Sequence, residues 1–231
     1  MEEKETSRLE AFSDGVFAVA ITLLVLNIKV PGLDSGEVFI DSKLWPLLGK
    51  EWTMLFAYIT SFATIGIMWL NHHRLFVHIK RTDTPLLLIN LSLLLVIVFI
   101  PVPTALLSEY LIYPDQHAAA IVYSSTCFIM ACCFNLLWRY ASYHNRLLGK
   151  NVDTGSVKAI SGQYLFGPLL YLVIFGVAWI NTLACIMLSF ILALFFALPS
   201  RSLRTLSERG EMKSENQSSA NEREAISEAE G

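Results

Sequence analysis

Several long stretches of this sequence contain almost no charged residues, although charged side chains are frequent between them. Only 16% of the 231 residues are charged and 54% are hydrophobic, whereas an average soluble domain has about 25% charged and about 45–50% apolar residues. Charges are costly inside a bilayer, so an apolar run of about 20 residues is typical of a membrane-spanning helix. We therefore predict an all-α, multi-pass membrane protein.

Cysteine is scarce, and its spacing suits neither a disulfide framework nor a zinc site. The four cysteines lie in apolar stretches without C-x-x-C spacing or a nearby histidine pair, which is typical of small buried side chains. They are Cys127, Cys132, Cys133 and Cys185. We expect no metal site and no cofactor.

Motifs of other functional classes are also missing. The chain has no nucleophile elbow, no phosphate-binding glycine loop and no paired carboxylates at a useful spacing, which argues against an enzyme. It has no basic patch interleaved with aromatic residues, which argues against a nucleic-acid partner.

Six apolar stretches are separated by polar segments. The last two are almost continuous, but one helix over residues 165–198 would be about 51 Å long, against about 30 Å of hydrocarbon. We therefore place a break at Asn181-Thr182. In the third stretch we expect Thr84 to cap the helix and Pro101 and Pro103 to bend it; Pro199 should end the sixth. The predicted spans cover residues 11–30, 52–70, 84–107, 118–138, 160–180 and 183–198.

The basic residues predict the orientation. Fourteen of the 17 Lys and Arg residues lie in the two terminal segments and in alternate loops, and such residues mark the cytoplasmic side. We predict a cytoplasmic N-terminus (1–10), a six-helix membrane domain (11–199) and a polar cytoplasmic tail (200–231) whose composition predicts disorder. The acidic N-terminus is unlike a cleaved signal peptide.

One carboxylate falls inside the first span. Asp14 follows Ser13, and an acidic residue within a span is by default a functional candidate. It can equally lie at the wet start of the helix, where an acid interacts favourably with the helix dipole. The residues alone leave both interpretations open.

The first span also carries an apolar stripe. At about 100° per residue, four large side chains lie within about 40° of Val19, Thr22 lies about 60° away, and Asp14 points almost the opposite way. Such a stripe can face lipid, a partner helix or a pore. The four side chains are Phe12, Leu23, Leu26 and Val30.

Two segments resemble a known family. Arg8, Phe12, Ser13 and Asp14 form the pattern R-x-x-x-F-S-D, followed by GVFAVAITLLVL, and this resembles the signature of the transmembrane protein 175 family of potassium channels. The segment WLNHH, which ends the second span, resembles that family's W-x-x-H-H segment. A single six-span repeat is similar to the prokaryotic members, whereas the animal lysosomal members carry two repeats in each chain.

The resemblance implies a potassium-selective cation channel, a homotetramer in the plasma membrane of a prokaryote, with a central pore lined by the first helix. The family has no T-V-G-Y-G filter, and none occurs here. By position after the signature, the constriction that acts as gate and filter would comprise Val19, Leu23 and Leu26, and Thr22 would contribute to selectivity. The family usually has isoleucine or leucine at the first constriction, so Val19 changes the width expected there.

The resemblance also implies a structural cluster at the start of the first helix. The signature residues would hold this helix against its neighbours, with Trp69, His72 and His73 as partners. Because the two histidines are adjacent, their side chains diverge by about 100° on a helix and cannot clamp one metal ion. The signature residues in question are Arg8, Phe12, Ser13 and Asp14.

Two other functional classes compete with a channel. A proton-coupled secondary transporter would use Asp14 with His72 or His73 as a proton relay, and a purely structural membrane protein would transport nothing. Transporters often have broken helices near the midplane and an internal repeat. An unbroken first span and the lack of a clear repeat favour the channel.

Overall fold

The computed structural model describes residues 4–28, 52–111, 113–114, 116–149 and 154–197. Within these ranges nearly every residue is helical. A 3₁₀ segment, Leu24–Asn27, continues the first helix, and a 3₁₀ turn, Tyr143–Asn145, follows the fifth. The α-helices are α1 (Lys4–Leu23), α2 (Trp52–His78), α3 (Thr84–Phe99), α4 (Pro101–Tyr110), α5 (Gln116–Ser142), α6 (Thr154–Ala178) and α7 (Thr182–Ala197).

These helices form the six predicted spans, with α3 and α4 together making the third. In the described part of the chain, five helical segments are long and apolar enough to cross a bilayer, and α7 is shorter, with 16 residues. The predicted break before α7 is confirmed: α6 ends at Ala178, and Asn181 Oδ1 accepts a hydrogen bond from the Ala184 N–H (2.9 Å) at the start of α7. The six-helix, multi-pass fold is therefore confirmed.

The predicted bend in the third span is confirmed, but the predicted cap is wrong. Helix α3 ends at Phe99 and α4 starts at Pro101, because the prolines cannot donate the next helical hydrogen bonds. Thr84 is the first residue of α3, and the cap is Asp83, whose carboxylate accepts a hydrogen bond from the Leu86 N–H (3.0 Å). Aspartate is among the strongest N-caps, ahead of threonine.

The second span does not end at Leu70 as predicted, because α2 continues to His78. Asn71 and His72 are 3% and 1% exposed, so these polar residues face other helices instead of a loop. The Arg74 guanidinium donates to the carbonyl of Ala197 (2.7 Å) at the end of α7. The polar residues at the end of α2 therefore make hydrogen bonds to other helices of the bundle.

The first span begins earlier than predicted and is not a regular α-helix throughout. Helix α1 starts at Lys4, and the 3₁₀ geometry begins at Leu24. The predicted unbroken first span is confirmed, because one helical segment runs from Thr6 to Asn27 and only its last turn is tightened. Val30, Pro199 and the tail 200–231 lie outside the described residues.

Helix α1 lies at the edge of the bundle, where it packs on α2 and α3. Only 22% of the residues in the apolar part of its span are buried, against 50% in the spans of α2 and α5. Phe17, Ala20 and Leu24 form its inner side and belong to the main hydrophobic core. Among the described residues, no helix covers the opposite side of α1, which we call its bare surface.

Asp83 joins two loops at one end of the bundle. Its carboxylate accepts hydrogen bonds from the Tyr140 hydroxyl (2.8 Å) and from the Arg146 guanidinium. Beside it, the Lys80 N–H donates to the Leu147 carbonyl (2.9 Å). Partial burial raises the pKa of Asp83, but the hydrogen bonds from Leu86, Tyr140 and Arg146 and the positive charge of Arg146 outweigh this effect, and the net pKa lies below its ordinary value.

Candidate functional site

The apolar stripe of α1 lies on the bare surface of the chain. Val19 is 52% exposed, Leu23 36% and Leu26 74%. Phe12, one of the other stripe residues, is also exposed. A row of large apolar side chains that the described part of the chain leaves uncovered is typical of a surface that faces lipid, another copy of the chain or a pore.

The 3₁₀ segment changes the position of Leu26 on this stripe. Residues three apart eclipse each other in a 3₁₀-helix, and the rise is about 2.0 Å per residue instead of about 1.5 Å. Leu26 therefore lies almost directly beyond Leu23, about 6 Å further along the axis. Val19 lies about 6 Å from Leu23 in the other direction. The three side chains thus form evenly spaced levels on one face.

Thr22 is exposed beside the stripe. Its hydroxyl donates a hydrogen bond to the Val19 carbonyl (2.9 Å). Since a hydroxyl has one proton and two acceptor lone pairs, this bond leaves acceptor capacity on the oxygen. Thr22 therefore offers an oxygen atom at the level between Val19 and Leu23.

A chain of three buried polar side chains ties the back of α1 to α2 and α3. Asn90 Nδ2 donates to Ser13 Oγ (3.0 Å), and Ser13 Oγ donates to the Leu9 carbonyl (2.8 Å). His72 Nε2 donates to Asn90 Oδ1 (2.9 Å), since an amide oxygen can only accept. Asn90, on α3, therefore connects the first two helices, although the residues singled out from the sequence signature did not include it.

Asp14 is tied to α2 by a second contact. The Trp69 indole N–H donates to Asp14 Oδ1 (2.8 Å), and the Trp69 ring stacks on His73 with ring centroids 6.3 Å apart. Of the four signature residues and their three predicted partners, the structure thus brings five together at the α1–α2 contact: Ser13, Asp14, Trp69, His72 and His73. The other two, Arg8 and Phe12, are exposed on α1.

The histidines lie in different environments, as adjacent residues on a helix must. His72 is buried between Phe17 and Phe76, with ring centroids 5.4 Å and 4.5 Å away, whereas His73 is exposed. Among the described residues, no group of three or more His, Cys, Asp or Glu side chains is placed to hold a metal ion.

Comparisons with known proteins identify the family. A family model described as the endosomal/lysosomal potassium channel TMEM175 matches residues 8–101. A potassium channel of Chamaesiphon minutus is 48% identical over 202 residues, which cover 87% of this chain and 98% of that protein. The human endosomal/lysosomal proton channel TMEM175 is 32% identical over 141 residues, 59% of this chain but only 28% of the human protein.

A solved structure agrees with these matches. The crystal structure of a lysosomal potassium-selective channel TMEM175 homologue from Chamaesiphon minutus superposes with a TM-score of 0.76 at 45% identity, covering 86% of this chain and 99% of that one. The similarity includes both the signature in α1 and the six-span architecture. The chain therefore belongs to the TMEM175 family of potassium channels.

Proposed function

We propose that this protein is a potassium-permeable channel in which four copies of α1 surround a central pore. The single observation that carries the proposal is the exposed apolar face of α1 in a family of potassium channels. Val19, Leu23 and Leu26 form the constriction that acts as gate and filter, and Thr22 contributes to potassium selectivity. The site is at the cell membrane, with both termini cytoplasmic.

Apolar rings suit a gate because they hold water poorly when they are narrow. A pore lined by aliphatic side chains closes by dewetting, and an ion without its water faces a cost of tens of kcal/mol in an apolar medium. Potassium therefore passes only when the rings widen enough to admit water. The even spacing of the three levels, about 6 Å apart, places three such barriers in series.

Four copies supply the missing partners of the bare surface. In a cyclic assembly, each subunit uses one surface against the next, and the contact closes on itself. The face of α1 opposite its core side is then directed at the symmetry axis, where the Val19, Leu23 and Leu26 side chains of the four copies meet. The wide apolar surfaces of the remaining spans face lipid.

The test is potassium flux in proteoliposomes, together with the size of the purified oligomer. Leu23→Ala removes the bulk of the middle ring, so we expect a higher leak and a lower potassium-to-sodium permeability ratio. Leu95→Ala is the matched control, because Leu95 is a 73% exposed leucine on α3 and should leave both quantities unchanged. Equal flux in wild-type protein and Leu23→Ala would refute this pore lining.

A proton-coupled transporter is the second candidate. Two observations favour it: Asp14 and His73 both contact Trp69, next to the buried His72, and the human relative is an endosomal/lysosomal proton channel. A channel gives a potassium-dependent reversal potential without a proton gradient, whereas a coupled transporter requires one. Asp14→Asn abolishing a proton dependence while assembly persists would favour the transporter.

A further inference from the structure

The far end of the pore helix is held at two points. From Leu24 the chain adopts 3₁₀ geometry, and the Ile28 N–H donates to the Val25 carbonyl (3.0 Å). Leu24 is fully buried in the main core, and Asn27 Nδ2 donates to the Pro101 carbonyl (2.8 Å). A 3₁₀ turn is a frequent ending of an α-helix, and the additional feature here is the hydrogen bond that joins this turn to another helix.

The carbonyl that receives the Asn27 hydrogen bond belongs to a rigid part of the bundle. Pro101 directly follows the break between α3 and α4 and is buried. Three residues on, Thr104 Oγ1 donates to the Ile100 carbonyl (2.9 Å) and shares a 2.7 Å hydrogen bond with Ser61 Oγ of α2. The break in the third span is therefore hydrogen-bonded to α2 through Thr104, and Asn27 hydrogen-bonds the pore helix to the same break.

This hydrogen bond determines where the neighbouring Leu26 points. Successive side chains are about 120° apart in a 3₁₀-helix, so an inward Asn27 leaves Leu26 directed outward. Leu26 is accordingly the most exposed of the three constriction residues, at 74%. Among the described residues, Asn27 makes the one side-chain hydrogen bond from this turn to another helix. Without it, apolar packing such as that of Leu24 would remain, and apolar contacts tolerate rotation because they lack direction.

We propose that Asn27 is a positioning residue for the outer constriction: its hydrogen bond to the Pro101 carbonyl holds the Leu26 ring at the pore axis and couples that ring to the break in the third span. The inference rests on the proposed function. It assigns control of the outermost ring to a residue outside the family signature and outside the pore surface.

The test is the permeability ratio of Asn27→Leu in proteoliposomes. Leucine keeps the size of asparagine but has no N–H donor, so we expect about a fivefold rise in sodium leak, the change that loss of one typical hydrogen bond produces in a two-state equilibrium. Asn135→Leu is the matched control. Asn135 Nδ2 also donates to a backbone carbonyl, that of Tyr164 (2.6 Å), but between α5 and α6, and its loss should leave selectivity unchanged.

A double-substitution cycle with Leu26→Ala separates positioning from general stability. If Asn27 acts through the Leu26 ring, Asn27→Leu should change the sodium leak less than about twofold once that ring is removed. Asn27→Ala, which also has no side-chain donor, should reproduce Asn27→Leu and replaces it if the leucine variant does not assemble. Wild-type selectivity in both donor-free variants, or fully independent effects of Asn27 and Leu26, would overturn the inference while leaving the proposed channel standing. Absence of potassium flux in the wild-type protein would instead refute the proposed function.

Discussion

Replacing Asn90 with leucine removes the side chain through which α3 joins α1 to α2. Asn90 is 1% exposed, so its hydrogen bonds to Ser13 and His72 are made without competing water. Leucine has a similar shape, and the main loss is therefore polar. Ser13 keeps its bond to the Leu9 carbonyl, whereas the Nε2–H of His72 becomes a buried donor that has lost its acceptor.

Two free energies known for lost hydrogen bonds limit the expected loss of stability. Leaving a buried donor unsatisfied costs about 1–3 kcal/mol, but hydrogen bonds between membrane helices average about 0.6 and reach about 1.7 kcal/mol. We expect Asn90→Leu to lower the free energy of unfolding by about 1–2 kcal/mol. Adding His72→Phe removes the orphaned donor and places a third aromatic ring between Phe17 and Phe76. The double variant should therefore be at least as stable as Asn90→Leu alone, because replacing both partners by apolar groups is nearly neutral.

The assay is thermal unfolding of purified protein in detergent, followed by size-exclusion chromatography. For a chain of this length, 1 kcal/mol corresponds to roughly 2–4 °C in Tm. Ser92→Ala on the same helix is the control: Ser92 is exposed and its hydroxyl donates only within its own helix, to Leu88, so its change should stay within about 0.5 kcal/mol. If His72→Phe lowers the free energy of unfolding of the Asn90→Leu variant by about a further 1–2 kcal/mol, the inferred link between these two side chains is refuted.

Two further predictions concern ion preference and acid stability. Thr22→Ala should lower the potassium-to-sodium permeability ratio measured from reversal potentials, and Thr22→Ser, which keeps the hydroxyl, should preserve it; equal ratios in wild type and Thr22→Ala would exclude a role for that oxygen. The pKa of Asp83 is lower in the folded protein, so its stabilising contribution is present above the unfolded pKa of about 3.9 and is lost as the pH falls through the folded pKa. Asp83→Asn should consequently weaken the decline of Tm below about pH 4, and an unchanged pH profile would show that the cap carboxylate does not contribute to acid sensitivity.

The number of spans was predictable because it depends on lengths alone. As one helix, residues 165–198 would be about 51 Å long, which exceeds the hydrocarbon thickness of about 30 Å. A break was therefore required, and Asn181 caps the helix that follows it. The end of α2 was not predictable in the same way. Asn71 and His72 are polar and yet buried, and only the assembled bundle shows that partners on other helices, not water, surround them.

In the candidate site, too, local helical geometry was predictable from the sequence and contacts between helices were not. Periodicity placed Val19 and Leu23 on one face, and local helical geometry was sufficient for that prediction. The 3₁₀ turn before Ile28 was not predictable, since it accompanies a hydrogen bond between Asn27 and Pro101, 74 positions apart. Asn90 carried a signal, a polar side chain inside a span, but its two partners depend on how three helices meet.

Helix α1 combines two faces with different physical requirements. Apolar side chains such as Val19 and Leu23 pack without direction, so they cannot define how far the helix is rotated about its own axis. Hydrogen bonds are directional, and those of Ser13 to Asn90 and of Asp14 to Trp69 fix that rotation on the opposite face. A turn of one residue, about 100°, would move the apolar stripe off any central axis and break both contacts. In the proposed pore, the polar face is therefore what keeps the apolar stripe directed at the axis, which accounts for a carboxylate at the start of a membrane span.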